Sequence, residues 1–255
     1  FFSNALPTLI KYNIPSTLFL SPKIIKNNNN FWFQDLAYLL FKLDSKTIIS
    51  FMAEFLNLDF DIIRNYGVQP IFKCLRFEDI KTSIDRLYKI NGLPRTTYQN
   101  ITLGNLKDII ETSIVQIGAH TNNHPILANE NDSVSFSEIK NSIDQLSELT
   151  NEKSTLFAYP NGIPGLDYTS REITYLKEIG IKTAFSMNPA HLSKNAKLHE
   201  LPRIACEASY NSALIITKSI FIKFWNGTYN VLKGQSLQSL QRKKIRSYLK
   251  SINYY

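Results

Sequence analysis

The chain is poor in the residues that most often announce chemistry. Two cysteines, Cys74 and Cys206, are all it has in 255 residues. They stand far apart and match no metal or redox spacing, which leaves two buried thiols or one disulfide. Histidines number only four, so any pairing among them carries information. Long apolar runs are absent: Lys218 and Lys223 interrupt the best stretch, 213–225, well short of the ~20 residues a spanning helix needs. The opening is Phe1-Phe2 rather than Met, followed by neither an apolar run behind a charged start nor a small-residue cleavage site, so the true N-terminus, and any signal or anchor it held, is expected to lie outside this sequence. Acidic residues are missing from 211–255, which hold 8 basic side chains, whereas 1–210 hold 21 of each sign. The net charge of +8 is therefore a property of the end of the chain. That end reads as a basic helical tail, either a solvated face or a contact for anionic membrane or polymer.

What is present is a chain 44% hydrophobic, long enough to bury the core of one large α/β domain or two small ones. Runs rich in β-branched and aromatic residues predict buried strands over Ser16–Ser21, Ser113–Gly118, Thr155–Tyr159 and Lys182–Ser186. Ser135 with Glu138 reads as a capping box before a helix whose Phe136, Ile139, Ile143, Leu146 and Leu149 share one face. Thr169 with Glu172 repeats the device, and Gly180 supplies the left-handed stop. Alternation of strand and helix predicts parallel pairing. From about 23 to 99 the rhythm breaks: an asparagine turn at 27–30 precedes helical patterns over Phe31–Leu43 and Phe77–Ile90, read as a helical insertion.

Two constellations carry chemistry. Ile117-Gly-Ala-His-Thr-Asn-Asn-His-Pro125 sets His120 and His124 four residues apart just after a strand. Pro125 disfavours helical backbone at His124, so both imidazoles sit in a loop and can converge on one ion. Two histidines alone are an incomplete zinc site, which normally takes three protein ligands and water. The second, Phe157-Ala-Tyr-Pro-Asn-Gly162, follows the next strand. It forms a tight turn whose outward N–H groups suit an oxyanion, or is a plain strand-to-helix turn. Both lie at C-terminal strand ends, where barrels and open sheets build their sites. Phe31, Trp32 and Phe33 read as core, with sugar stacking the alternative.

Gly-Ala-His-Thr-x-x-His-Pro resembles the metal-binding motif of the polysaccharide deacetylases, carbohydrate esterase family 4, and Phe-Ala-Tyr-Pro-Asn-Gly resembles their next conserved turn. Residues 5–20 are similar to the helix and second strand after the family's first motif. Leu201-Pro-Arg-Ile204 and residues 31–40 resemble a late segment and an inserted helix of one branch. The likeness runs from 1 to about 204. It implies an α/β fold, a distorted (β/α) barrel with its first strand missing and the helical insertion after the second. The deacetylase-like domain would be residues 1–210, followed by the basic tail 211–255. It implies metal-dependent hydrolysis of N-acetyl groups from the amino sugars of a polysaccharide or its precursor, in the cell envelope, secreted or membrane-associated. His120 and His124 would hold a divalent ion, usually zinc. Tyr159, Pro160, Asn161, Gly162 and Arg203 would face substrate and oxyanion, with the Asn161 N–H as donor, and His199 is the candidate acid, or a solvated loop histidine. Arg203 either contacts substrate or pairs with a carboxylate such as Glu200 or Glu207.

The family's Thr-Phe-Asp-Asp segment, source of the general base and third metal ligand, is expected a few residues upstream of Phe1, because Asp35 is the first aspartate. Without it the chain would be inactive and aggregation-prone, with unsatisfied strand edges. Ala158 and Asn161 stand where many members have Arg and Tyr. The alternative function is an inactive deacetylase-like carbohydrate-binding module docked by the basic tail. Nucleic-acid binding has only charge behind it, and no nucleic-acid partner is expected.

Overall fold

The four expected strands form in the computed structural model, which describes residues 1–98, 100–204, 211–222 and 235–255. They are β1 (Ser16–Leu20), β2 (Val115–Ala119), β3 (Leu156–Ala158) and β4 (Thr183–Phe185). All pair in parallel, in the order β1-β2-β3-β4. An order that follows the sequence is compatible with the wall of a barrel; a doubly wound sheet reverses direction at its centre. β2 starts two residues later than its pattern suggests, because Ser113 takes a left-handed φ of 58° just past the end of α8 (Leu103–Glu111). Gly118 is needed where β1 and β2 meet: a Cβ there would stand 2.5 Å from the Phe19 ring.

The helices α9 (Asp132–Thr150) and α10 (Ser170–Ile179) pack on this sheet. Ile139, Ile143, Leu146 and Leu176 bury against Phe157, Tyr159 and Tyr168, each side chain contributing roughly 1.5–3 kcal/mol by leaving water. α10 begins and ends as its sequence predicts. Thr169 and Glu172 exchange capping hydrogen bonds, and Gly180 closes the helix at φ 89°. The capping box expected at Ser135 and Glu138 is corrected by the structure. The cap is Asn131, whose side chain accepts from Val134 N at 2.9 Å, and Ser135 and Glu138 lie inside the helix. Their side chains are engaged by tertiary partners instead, Ser135 by Glu172 at 2.7 Å and Glu138 by the loop after β2.

Between β1 and β2 the insertion folds as six helices: α2 (Pro22–Asn27), α3 (Trp32–Lys42), α4 (Ser45–Phe55), α5 (Phe60–Tyr66), α6 (Val68–Phe72) and α7 (Phe77–Ile90). All but α2 share one core, with Leu39, Ile48, Ile63, Ile71, Phe72 and Ile80 fully enclosed. Past α11 (Ser212–Ile220), the last helix, α12 (Gln235–Ser251), puts Ile245 and Leu249 into that same core. Part of the stretch read as a basic tail thus completes the insertion. Its Arg242 is buried against Asp167 at 2.6 Å, while Lys243, Lys244 and Lys250 are exposed. Cys74 is a buried free thiol; Cys206 and Glu207 lie outside the described residues. Among the described residues no helix is long and apolar enough to cross a membrane.

Candidate active site

His120 leaves the end of β2 with its backbone fixed on both sides. Its N–H donates to Leu20 O at 2.9 Å, and its carbonyl accepts from Ser21 Oγ at 3.0 Å. The imidazole Nδ1 lies 2.5 Å from Ala158 O. An acceptor there assigns the proton to Nδ1 and leaves the Nε2 lone pair open, the arrangement a metal-binding imidazole requires. Burial holds the ring neutral, its pKa pushed down to about 4; the Ala158 contact opposes this and the charge of Arg203 adds to it.

His124 stands beside it, the two ring centroids 4.8 Å apart and nearly perpendicular. Its backbone is left-handed at φ 58°, a costly conformation for a non-glycine residue that surrounding contacts must impose. Those contacts are present. Thr121 Oγ1 accepts from His124 N at 3.1 Å, and Trp32 Nε1 donates to His124 O at 2.9 Å. Buried Glu138 accepts from the N–H groups of Asn122 and Asn123 at 3.0 and 2.9 Å, holding the loop between the histidines. The rings of Phe31 and Phe33 stand edge-on to the imidazole at 5.6 and 5.1 Å. Burial keeps His124 well below the usual histidine range, and the charges of His120 and Lys73 push the same way. Among the described residues its Nδ1 is buried and without a partner, in a place where an orphaned polar atom costs about 1–3 kcal/mol.

Both histidines line a cleft of about 580 Å³, together with Tyr159, Asn161 and Arg203 from the sheet side and Phe33, Gln69 and Lys73 from the insertion. A larger cleft of about 870 Å³, beside Arg76, Glu130 and Glu138, contains no histidine; the chemistry selects the smaller one. The Pro160-Asn161-Gly162 turn is shaped by positive φ at Asn161, 55°, and Gly162, 82°. A Cβ at Gly162 would come within 3.0 Å of Met187 N and 3.2 Å of Arg203, so glycine is required there on two counts. The Asn161 N–H donates to no group among the described residues, as an oxyanion donor must before substrate arrives. Tyr159 is buried, its ring stacked on Tyr168 at 3.6 Å and its hydroxyl donating to His199 O at 3.0 Å. Arg203 reaches the cleft with Nε on Ser186 O at 2.9 Å and is not in an ion pair among the described residues; Glu200 is taken by Lys197. His199 does not line the cleft, and its Nε2 lies 2.9 Å from Ile181 O.

Two neutral nitrogen donors with open lone pairs fit a divalent ion in kind. In number they fall one short of a catalytic zinc set, and among the described residues no group of three or more His, Cys, Asp or Glu side chains could hold one. Sequence reasoning had no signal for what the insertion contributes. Trp32, Phe31 and Phe33 grip His124 across 92 positions of chain, and Lys73 enters the cleft from the end of α6.

The family described as polysaccharide deacetylase matches residues 1–184. No curated protein matches the chain. Among solved structures, the Streptococcus pyogenes deacetylase PplD, in complex with acetate, is 24% identical over 46% of this chain and 50% of its own, with a TM-score of 0.42. A polysaccharide deacetylase from Bacillus cereus is 15% identical over 55% of this chain and 47% of its own, also at 0.42. IcaB from Ammonifex degensii is 15% identical over 48% and 60%, at 0.36. The chain spans about half the length of the first two.

Proposed function

The chain belongs to the polysaccharide deacetylase family, and from that premise we propose that it hydrolyses N-acetyl groups from the amino sugars of a polysaccharide or its precursor. The observation that carries the reading is the pair of neutral imidazoles, His120 and His124, in one cleft with an Asn161 N–H that is unpaired among the described residues. His120 and His124 would hold a divalent ion, zinc by ligand type. What such an ion supplies is Lewis acidity toward the acetyl carbonyl and a lowered pKa for water.

The chain's own groups do the rest. Asn161 N–H donates to the oxygen on which charge develops, from a position fixed by the turn. Phe33 and Trp32 wall the cleft on the insertion side and keep His124 from relaxing out of its strained backbone. The general base and third ligand are proposed to be aspartate carboxylates. A catalytic-acid role for His199 requires its imidazole to give up Ile181 O.

The test is acetate release from N-acetylated amino-sugar oligomers by the full-length protein, with and without chelator, beside His120→Ala. Release that chelator and His120→Ala both abolish is the expected result. Oligomer binding with no release would make this a carbohydrate-binding module instead.

A further inference from the structure

His120 and His124 are held by different means. His120 is fixed by the sheet, its N–H, carbonyl and Nδ1 meeting Leu20, Ser21 and Ala158. His124 stands at the far end of a loop bracketed by two left-handed non-glycine residues, Thr121 at φ 61° and His124 itself at φ 58°. Both conformations are costly and persist only where the surroundings over-determine them. What the loop closes around is the side chain of Glu138, early in α9 and 8% exposed. One oxygen, Oε2, accepts the successive N–H groups of Asn122 and Asn123 at 3.0 and 2.9 Å, and Oε1 accepts from Asn123 Nδ2. Successive N–H groups converging on one point make the concavity by which bent backbone binds an anion. Here the anion belongs to the chain itself, and all three of its partners are donors, as a carboxylate requires. Glu138 bonds to neither histidine; it reaches His124 through the two residues that precede it.

We infer that Glu138 is a positioning residue: it sets the place of the His124 imidazole, and through it the affinity of the cleft for its ion, while His120 is positioned without it. The inference rests on the reading of the two histidines as ion ligands. It holds whatever other ligand completes the set, because every contact it uses lies within α9 and the loop. A lever that acts on one of two ligands has a signature that loss of stability does not share: one imidazole moves and the other stays.

The experiment uses the full-length, metal-free protein as native, Glu138→Gln, Asn123→Ala and, for control, Thr169→Ala, which weakens the cap of α10 without touching the loop. Zinc affinity is measured by calorimetry, and the imidazole resonances of histidine-labelled protein are recorded before any metal is added, assigned with His120→Ala and His124→Ala. Glu138→Gln keeps the length of the side chain and leaves one acceptor oxygen where there were two. The expected result is a zinc Kd weakened about tenfold or more, with the His124 resonances shifted and those of His120 in place. Asn123→Ala deletes one of the three donors and should give the same pattern at smaller size; it decides by the same criteria if Glu138→Gln does not fold. Thr169→Ala should lower the unfolding midpoint and leave zinc affinity and both imidazoles unchanged. A folded Glu138→Gln in which either the zinc affinity or the His124 resonances stay native would overturn the proposal. So would a loss that Thr169→Ala shares, or one in which both imidazoles move together. If the native protein binds no zinc, the ion reading has failed and the resonances decide alone: His124 displaced without His120 keeps the positioning role, and any other pattern removes it.

Discussion

The sheet half and the helical half of this molecule divide the site between them unequally. The sheet half, with α9 and α10, supplies the groups that act: His120, His124, the Asn161 N–H and Arg203 all sit at strand ends or in the loops that follow. The helical half supplies their surroundings. Trp32 holds the His124 carbonyl, Phe31 and Phe33 flank its ring, and Lys73 charges the cleft wall. Chemistry that depends on a strand end can be encoded in a short motif, because the strand fixes the motif's direction. An environment cannot, since it is assembled from residues that meet only after the chain has folded back.

If the halves are coupled as described, the largest effect follows from breaking the ion pair between them. Asp167 and Arg242 are both almost wholly buried, so Asp167→Ala strands a guanidinium in the interior. We expect a loss of about 3–5 kcal/mol in denaturant unfolding. The double variant Asp167→Leu with Arg242→Met should recover most of it, and failure to recover would mean the pair matters through the Ile163 N–H that Asp167 also accepts.

Trp32→Phe asks whether the helical half shapes the chemistry or only covers it. It keeps an aromatic side chain and deletes one donor to His124 O. Metal affinity should fall roughly 10–100-fold, the range for losing a group that orients a ligand, with the melting temperature changed far less. An equal, small effect on both would reduce the insertion to packing.

Glu130 gives the same coupling a pH dependence. Its carboxylate accepts from Phe77 N at 2.7 Å, at the start of α7, and burial pushes its pKa up to about 7. A raised acid binds its proton more tightly folded than unfolded. Its contribution is therefore fully present below the ordinary carboxylate value and lost as pH rises through about 7. Thermal stability should drop by on the order of 1–2 kcal/mol between pH 5 and 8, and Glu130→Gln should flatten that slope.

The smallest effect belongs to the sheet half alone: Thr169→Ala removes one cap of α10 and should cost about 1 kcal/mol, with acetate release per folded molecule unchanged.

The same division decided what could be read from the sequence. The strands, the loop placement of His120 and His124, the Asn161-Gly162 turn and both ends of α10 were legible because each is set by neighbours within a few residues. Ser135 and Glu138 show the limit. Their spacing is that of a capping box, but Glu172 and the Asn122 and Asn123 N–H groups recruit them, and Asn131 caps the helix instead. Nothing local in residues 31–33 points to His124, and nothing in 235–251 says that Ile245 and Leu249 finish the core of an insertion well over a hundred residues earlier. The amphipathic pattern states that a face will be buried; it does not state against what.

The central claim is that His120 and His124 together hold one divalent ion. Calorimetric titration of the metal-free, full-length protein with zinc tests it most directly, comparing His120→Ala, His124→Ala and His199→Ala. The account predicts one tight ion for the native protein, lost in each of the first two variants and retained in His199→Ala. Undiminished zinc binding in His120→Ala or His124→Ala would contradict it.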